Sequence, residues 1–115
     1  MNEKVLKCLF DIKYAIEEIE TFLSNEPKQF AAFKRNLLLK RAIERNLEIV
    51  GEAMSRILKE DPEIAISNAK RIIGLRNQII HGYDSVSDEN IWAILINHLP
   101  ILKRETESLI NSNNI

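Results

Sequence analysis

The chain has 115 residues, 45% hydrophobic and 29% charged, with 16 Lys and Arg against 17 Asp and Glu for a formal net charge of -1. That length suits a single domain, 1–115, with a real core, and the charge balance excludes a globally basic nucleic-acid binder, so any such contact must rest on a local patch. Three Gly and three Pro argue against a turn-rich all-β chain, the lone Cys8 excludes an internal disulfide and fits a reduced, cytoplasmic setting, and no apolar run approaches the roughly 20 residues of a membrane span.

Taken in order, Met1-Asn2-Glu3-Lys4 leads into an amphipathic segment with acidic residues rather than a signal peptide. Residues 3 to 23 read as a helix, because Val5, Leu9, Ile12, Ile16, Ile19 and Leu23 recur at spacings of three or four. Ser24-Asn25-Glu26-Pro27 breaks it. A second, long helix is predicted from about Gln29 to Glu60 on Phe33, Leu37, Ile43, Leu47, Val50, Met54 and Ile57, with Gly51 the natural place for a bend. Asp61-Pro62 is a start signal for one short turn, Glu63 to Ile66. Ser67 or Asn68 can cap a third helix to about His81, ended by Gly82 in the left-handed conformation. Asp84 to Ser87 reads as a loop, and Ser87 caps a fourth helix with Asp88 and Glu89 in its first turn. Pro100 should kink that helix before Ile101 to Ile110 continue it. No stretch shows strand alternation, so the expected fold is an all-α antiparallel bundle of four main helices plus a short turn.

The chemistry concentrates in Gly74-Leu75-Arg76-Asn77-Gln78-Ile79-Ile80-His81-Gly82-Tyr83. Asn77 and His81 lie one turn apart on one helix face, while Arg76 is about 140° from His81 around the axis. Arginine can grip a phosphodiester through its planar fork. A histidine, ordinarily titrating at about pH 6.5, can take a proton from a ribose 2′-hydroxyl or give one to the leaving oxygen. Asn77 can orient the imidazole or contact substrate. Together these groups could cleave RNA without a metal, leaving a 2′,3′-cyclic phosphate. The same Arg and His also admit a plain role as helix-end dipole partner and solvated group. Two proton transfers want two histidines, and a symmetric dimer joining two copies of Arg76 and His81 would supply them.

Elsewhere the signals are weaker. His98 reads as structural, His81 and His98 make no recognised metal spacing, and Cys8 reads as a small core residue. Three separate glycines cannot form a phosphate loop. Lys34, Arg35, Lys40, Arg41 and Arg45 could face RNA or form a solvated face paired through Arg41–Glu44 and Arg45–Glu48. Gly51 inside a helix costs about 1 kcal/mol against alanine; close approach of another helix, from a second subunit for example, or simple tolerance would explain it.

Arg76-Asn77-x-x-x-His81-x-Tyr83 resembles the R-x4-H-x-Y signature of the HepT toxins in the HEPN superfamily, which are paired with minimal nucleotidyltransferase (MNT) antitoxins in two-gene modules. The run from Arg41 to Ala53, with Gly51-Glu52 inside it, is similar to the family's second-helix segment, and Ile91-Trp92 and Leu99-Pro100-Ile101-Leu102 fit downstream. The resemblance implies an all-α HEPN bundle, a homodimer with a composite cleft, and a metal-independent endoribonuclease with no cofactor. It implies Arg76 and His81 as the catalytic pair, supported by Asn77. It further implies control by an MNT-type antitoxin that transfers AMP from ATP to Tyr83. The competing expectation is a non-catalytic HEPN module that binds nucleotides or supports a nucleotidyltransferase.

Overall fold

The computed structural model describes residues 1–24, 29–81 and 87–113, and these form six helices: α1 (Glu3–Ser24), α2 (Phe30–Arg35), α3 (Leu37–Glu60), α4 (Ala69–His81), α5 (Asp88–Asn97) and α6 (Leu99–Asn113). Among the described residues there is no strand, and the all-α expectation holds.

The α1 helix buries Val5, Cys8, Leu9, Ile12, Ala15, Ile16 and Ile19, one apolar stripe at helical spacing. Asn2 starts it, with its Oδ1 accepting from Val5 N at 2.8 Å. The same side chain donates from Nδ2 to Glu60 Oε2 at 3.0 Å, which pins the start of α1 to the end of α3 and sets the two antiparallel. Against that stripe α3 packs Ile43, Leu47, Val50, Met54 and Ile57. These two helices form the spine of the core. On the spine, α6 lies against α1, α5 against α6, and α2 against both α3 and α5.

The expected single helix from Gln29 to Glu60 is two. The chain breaks at Asn36, which takes an extended conformation (φ -99°, ψ 92°), while Gly51 stays inside α3. Asn36 caps α3 by accepting from Leu39 N at 3.0 Å. Asparagine competes for its own backbone and so favours a cap over a helix interior. The other half of the reason is tertiary: α2 turns so that Phe33, almost fully buried, and Phe30 meet Trp92 of α5 at ring-centroid distances of 5.4 and 6.2 Å.

After α3, Asp61 opens a short turn, as expected, with its backbone N–H closing onto Ile57 O and its carbonyl accepting from Ile64 N. Ser67 is not the cap of α4. Its N–H and Oγ–H both donate to the Glu105 carboxylate of α6, each at 3.0 Å. Asn68 takes the left-handed conformation at φ 61°, which asparagine tolerates, and its carbonyl accepts from Ile72 N. The break expected at Pro100 falls two residues earlier, at His98, which ends α5 while its carbonyl receives Leu102 N of α6. Ser87 caps α5 as expected, accepting from Asn90 N at 3.1 Å. The positions of Gly82 and of the loop residues Asp84 and Ser85 lie outside the described residues.

Among the described elements α4 packs on α3 alone. Of its large aliphatic side chains only Leu75 is buried; Ile72, Ile73, Ile79 and Ile80 remain half-exposed. No described helix is long and apolar enough to cross a membrane.

Candidate functional site

The site begins with Gly51. A Cβ built there would overlap Arg76 Cβ, lie 2.8 Å from Arg76 Cγ and 3.3 Å from the Ile72 carbonyl oxygen. These are atoms of α4 in the same chain, so the glycine is explained by a close α3–α4 crossing within one subunit. A larger residue would lift α4 and Arg76 with it. Gly74, the other glycine among the described residues, has none of them within 4 Å of a built Cβ.

Arg76 therefore leaves α4 directly over α3. Its NH2 reaches Glu52 Oε2 at 2.8 Å and its NH1 donates to Asn77 Oδ1 at 3.0 Å. Among the described residues its Nε is buried without a partner. The Arg76 side chain is 29% exposed, so the guanidinium is held by Glu52 and Asn77 while the side chain stays partly open to solvent. Glu52 is shared, since Oε1 also takes Arg56 NH2 at 3.3 Å. One carboxylate thus holds two guanidinium groups side by side. Their cleft, of about 470 Å³ between α1, α3 and α4, sets Arg45, Arg56 and Arg76 against Asp11, Glu48 and Glu52. Its charges balance, and an incoming phosphate would meet cations already partnered by carboxylates.

Asn77 is brought to Arg76, so its carbonyl positions the arginine rather than the imidazole. His81 stands exposed in the last turn of α4. By helical geometry it points about 140° away from Arg76, so one chain does not gather Arg76 and His81 on one wall. Tyr83, the expected acceptor of AMP, lies outside the described residues. Glu52 and Arg56 went unremarked as site residues in the sequence; the signal that could have found them is their i, i+4 spacing immediately after Gly51.

The remaining candidates sort as expected or more plainly. Among the described residues, four of the five cations of the second-helix basic face are paired: Lys34 with Glu89, Lys40 with Asp88, Arg41 with Glu44 and Arg45 with Glu48. Cys8 is buried at the α1–α3 contact, and burial first, then the nearby Asp11, pushes its thiol above the ordinary range. His98 is half-buried along a groove between α4 and α5.

Comparison with known proteins agrees with this architecture. Residues 12–109 match the family model described as ribonuclease HepT-like. A protein of Methanocaldococcus jannaschii named as a candidate RNase is 32% identical over 110 residues, 93% of this chain and 98% of its own length. A second from the same organism, named likewise, is 31% identical over 106 residues, 89% of this chain and 84% of its own. One from Caldanaerobacter subterraneus subsp. tengcongensis, also named as a candidate RNase, is 31% identical over 102 residues, 86% of this chain and 90% of its own. No solved structure matches. With the family model spanning most of the chain and these relatives covered over nearly their whole length, this protein belongs to the ribonuclease HepT-like family.

Proposed function

We propose that this chain is a metal-independent endoribonuclease, the toxin of a toxin–antitoxin module, acting as a homodimer in the cytoplasm. The observation that carries the reading is Arg76: a side chain seated over Gly51, its guanidinium steadied by Glu52 and Asn77, lining a cleft and partly exposed. Family membership supports a ribonuclease-type activity.

In this mechanism Arg76 binds the scissile phosphate and stabilises the charge that builds on its oxygens. One His81 removes the proton of the ribose 2′-hydroxyl. The 2′-oxygen attacks phosphorus, the bond from phosphorus to the 5′-oxygen breaks, and the partner's His81 protonates that oxygen. The products are a 2′,3′-cyclic phosphate and a 5′-hydroxyl, with no metal and no cofactor consumed. The dimer answers the geometry directly. Within one chain Arg76 and His81 diverge around α4, whereas a two-fold axis through the exposed, half-apolar flank of α4 would bring two copies of each into one cleft. Control comes from an MNT-type nucleotidyltransferase antitoxin that adenylylates Tyr83, placing bulk and negative charge where RNA would bind.

The second reading, a non-catalytic module that binds nucleotides or supports a nucleotidyltransferase, is favoured by one observation: Glu52 already occupies Arg76 at 2.8 Å. The test is incubation of purified protein, with Tyr83 shown unmodified by intact mass, with total cellular RNA in EDTA beside Arg76→Ala and His81→Ala. Cleavage that survives chelation and disappears in both variants is expected. Absence of cleavage by all three proteins would transfer the weight to the binding module.

A further inference from the structure

A second cavity, of about 400 Å³, opens between the start of α1 and the end of α3, lined by Lys4, Lys7, Cys8, Arg56, Lys59 and Glu60. Four cations meet one carboxylate there, on a chain whose formal net charge is -1. Two of the four already have carboxylate partners outside the lining, Arg56 in Glu52 at 3.3 Å and Lys7 in Asp11, which leaves Lys4 and Lys59 as the lightly committed pair. Lys4 is 83% exposed and stands 3.8 Å from Glu60, and Lys59 makes no ion pair among the described residues. Lys7 pairs with Asp11 on its own helix at 3.0 Å. Beneath the charges the wall is mostly carbon, from the buried Cys8 and the aliphatic lysine stems.

Arg56 lines this cavity and the Arg76 cleft alike, and the two guanidinium groups share Glu52. The cavity is therefore the next stop along the surface from Arg76. We infer that the Lys4–Lys7–Lys59 cavity is an RNA subsite, in which Arg56 hands a single strand on from the Arg76 cleft to the α1–α3 lysines. The ammonium groups would take backbone phosphates and the carbon wall a base. Electrostatic tracking of a strand with bases lying on apolar surface is how sequence-tolerant single-strand binders work. Polyanion chemistry fits the four cations, and the tie to the cleft through Arg56 gives the strand its direction.

The inference rests on the ribonuclease reading, and the experiment separates the two. A labelled 2′-O-methyl RNA of about twelve nucleotides, which cannot be cleaved, is titrated with full-length protein across a range of salt. The proteins are wild type, the double variant Lys4→Ala/Lys59→Ala and Glu60→Gln. All three altered side chains lie at the surface, away from the packed core. Loss of two phosphate contacts should reduce the slope of log K against log salt by about 1.4, at about 0.7 per single-strand contact. Between about 50 and 200 mM salt the wild type should then lose about sevenfold more affinity than the double variant. Removing the one carboxylate in Glu60→Gln should tighten binding. Equal slopes and equal affinities in the three proteins, with wild type cleaving total RNA, would overturn the subsite and leave the ribonuclease reading standing. A wild type that neither binds this RNA nor cleaves total RNA would overturn both.

Discussion

Gly51→Ala isolates the contact on which the candidate site stands. In an unobstructed helix, replacing glycine by alanine stabilises by about 1 kcal/mol. At Gly51 the added methyl would overlap Arg76 Cβ and stand 2.8 Å from Arg76 Cγ and 3.3 Å from the Ile72 carbonyl. A Cβ and a backbone carbonyl cannot rotate aside, so relief requires α4 to move off α3. Overpacking of this kind costs about 1–3 kcal/mol, and α3 is the one described element that holds α4. One overlap and two further contacts at 3.3 Å or less put Gly51 in the upper part of that range, about 2–3 kcal/mol, so after the propensity gain of about 1 kcal/mol we expect a net loss of about 1–2 kcal/mol. For a chain of this size that lowers the melting temperature by roughly 4–10 °C. Displacing α4 also displaces Arg76, so RNA cleavage should fall with it. Gly74→Ala is the internal control: its Cβ meets nothing within 4 Å, and the variant should gain about 0.5–1 kcal/mol. Thermal and urea unfolding followed by circular dichroism read both. A Gly51→Ala protein as stable as Gly74→Ala would refute the argument from close helix approach.

Three further outcomes are expected. Asn36→Ala removes the side-chain cap of α3 and should cost about 1 kcal/mol in urea unfolding. Glu52→Gln removes the charge that occupies Arg76 and Arg56; the pairs are partly exposed and screened, so stability should fall by no more than about 1 kcal/mol, while KM for RNA falls because phosphate no longer competes with a carboxylate. Cys8 should resist iodoacetamide in the folded protein at mildly alkaline pH and react promptly in denaturant, since burial and then Asp11 hold its thiol protonated. The sign follows: because the folded pKa is raised, the associated stability is whole below the ordinary thiol range and declines as pH rises through it.

Much of the architecture was legible because it depends on one helix at a time. The apolar stripe of α1, the Ser87 cap and the start of α3's buried face each follow from spacing or from a short side chain bonding its neighbouring backbone. The all-α fold, and the family to which the chain belongs, rest on such local patterns. The arrangement of the site did not, because it depends on which helices meet. A glycine inside a helix reads as a flaw until α4 is laid across it.

What the sequence by itself determined was the all-α character of the chain, the apolar faces of its main helices and the motif from Arg76 to Tyr83. Only the tertiary structure decided the rest. It broke the second helix at Asn36, where a local cap and the burial of Phe33 against Trp92 act together. It drew Ser67 away from α4 to Glu105, and it joined Arg76 to Asn77, Glu52 and, through that carboxylate, Arg56. The physical reason is the same in each case. Periodicity and capping energies are settled within a turn or two of chain, whereas an arginine's partners are set by the crossing of two helices, which no single stretch of sequence contains.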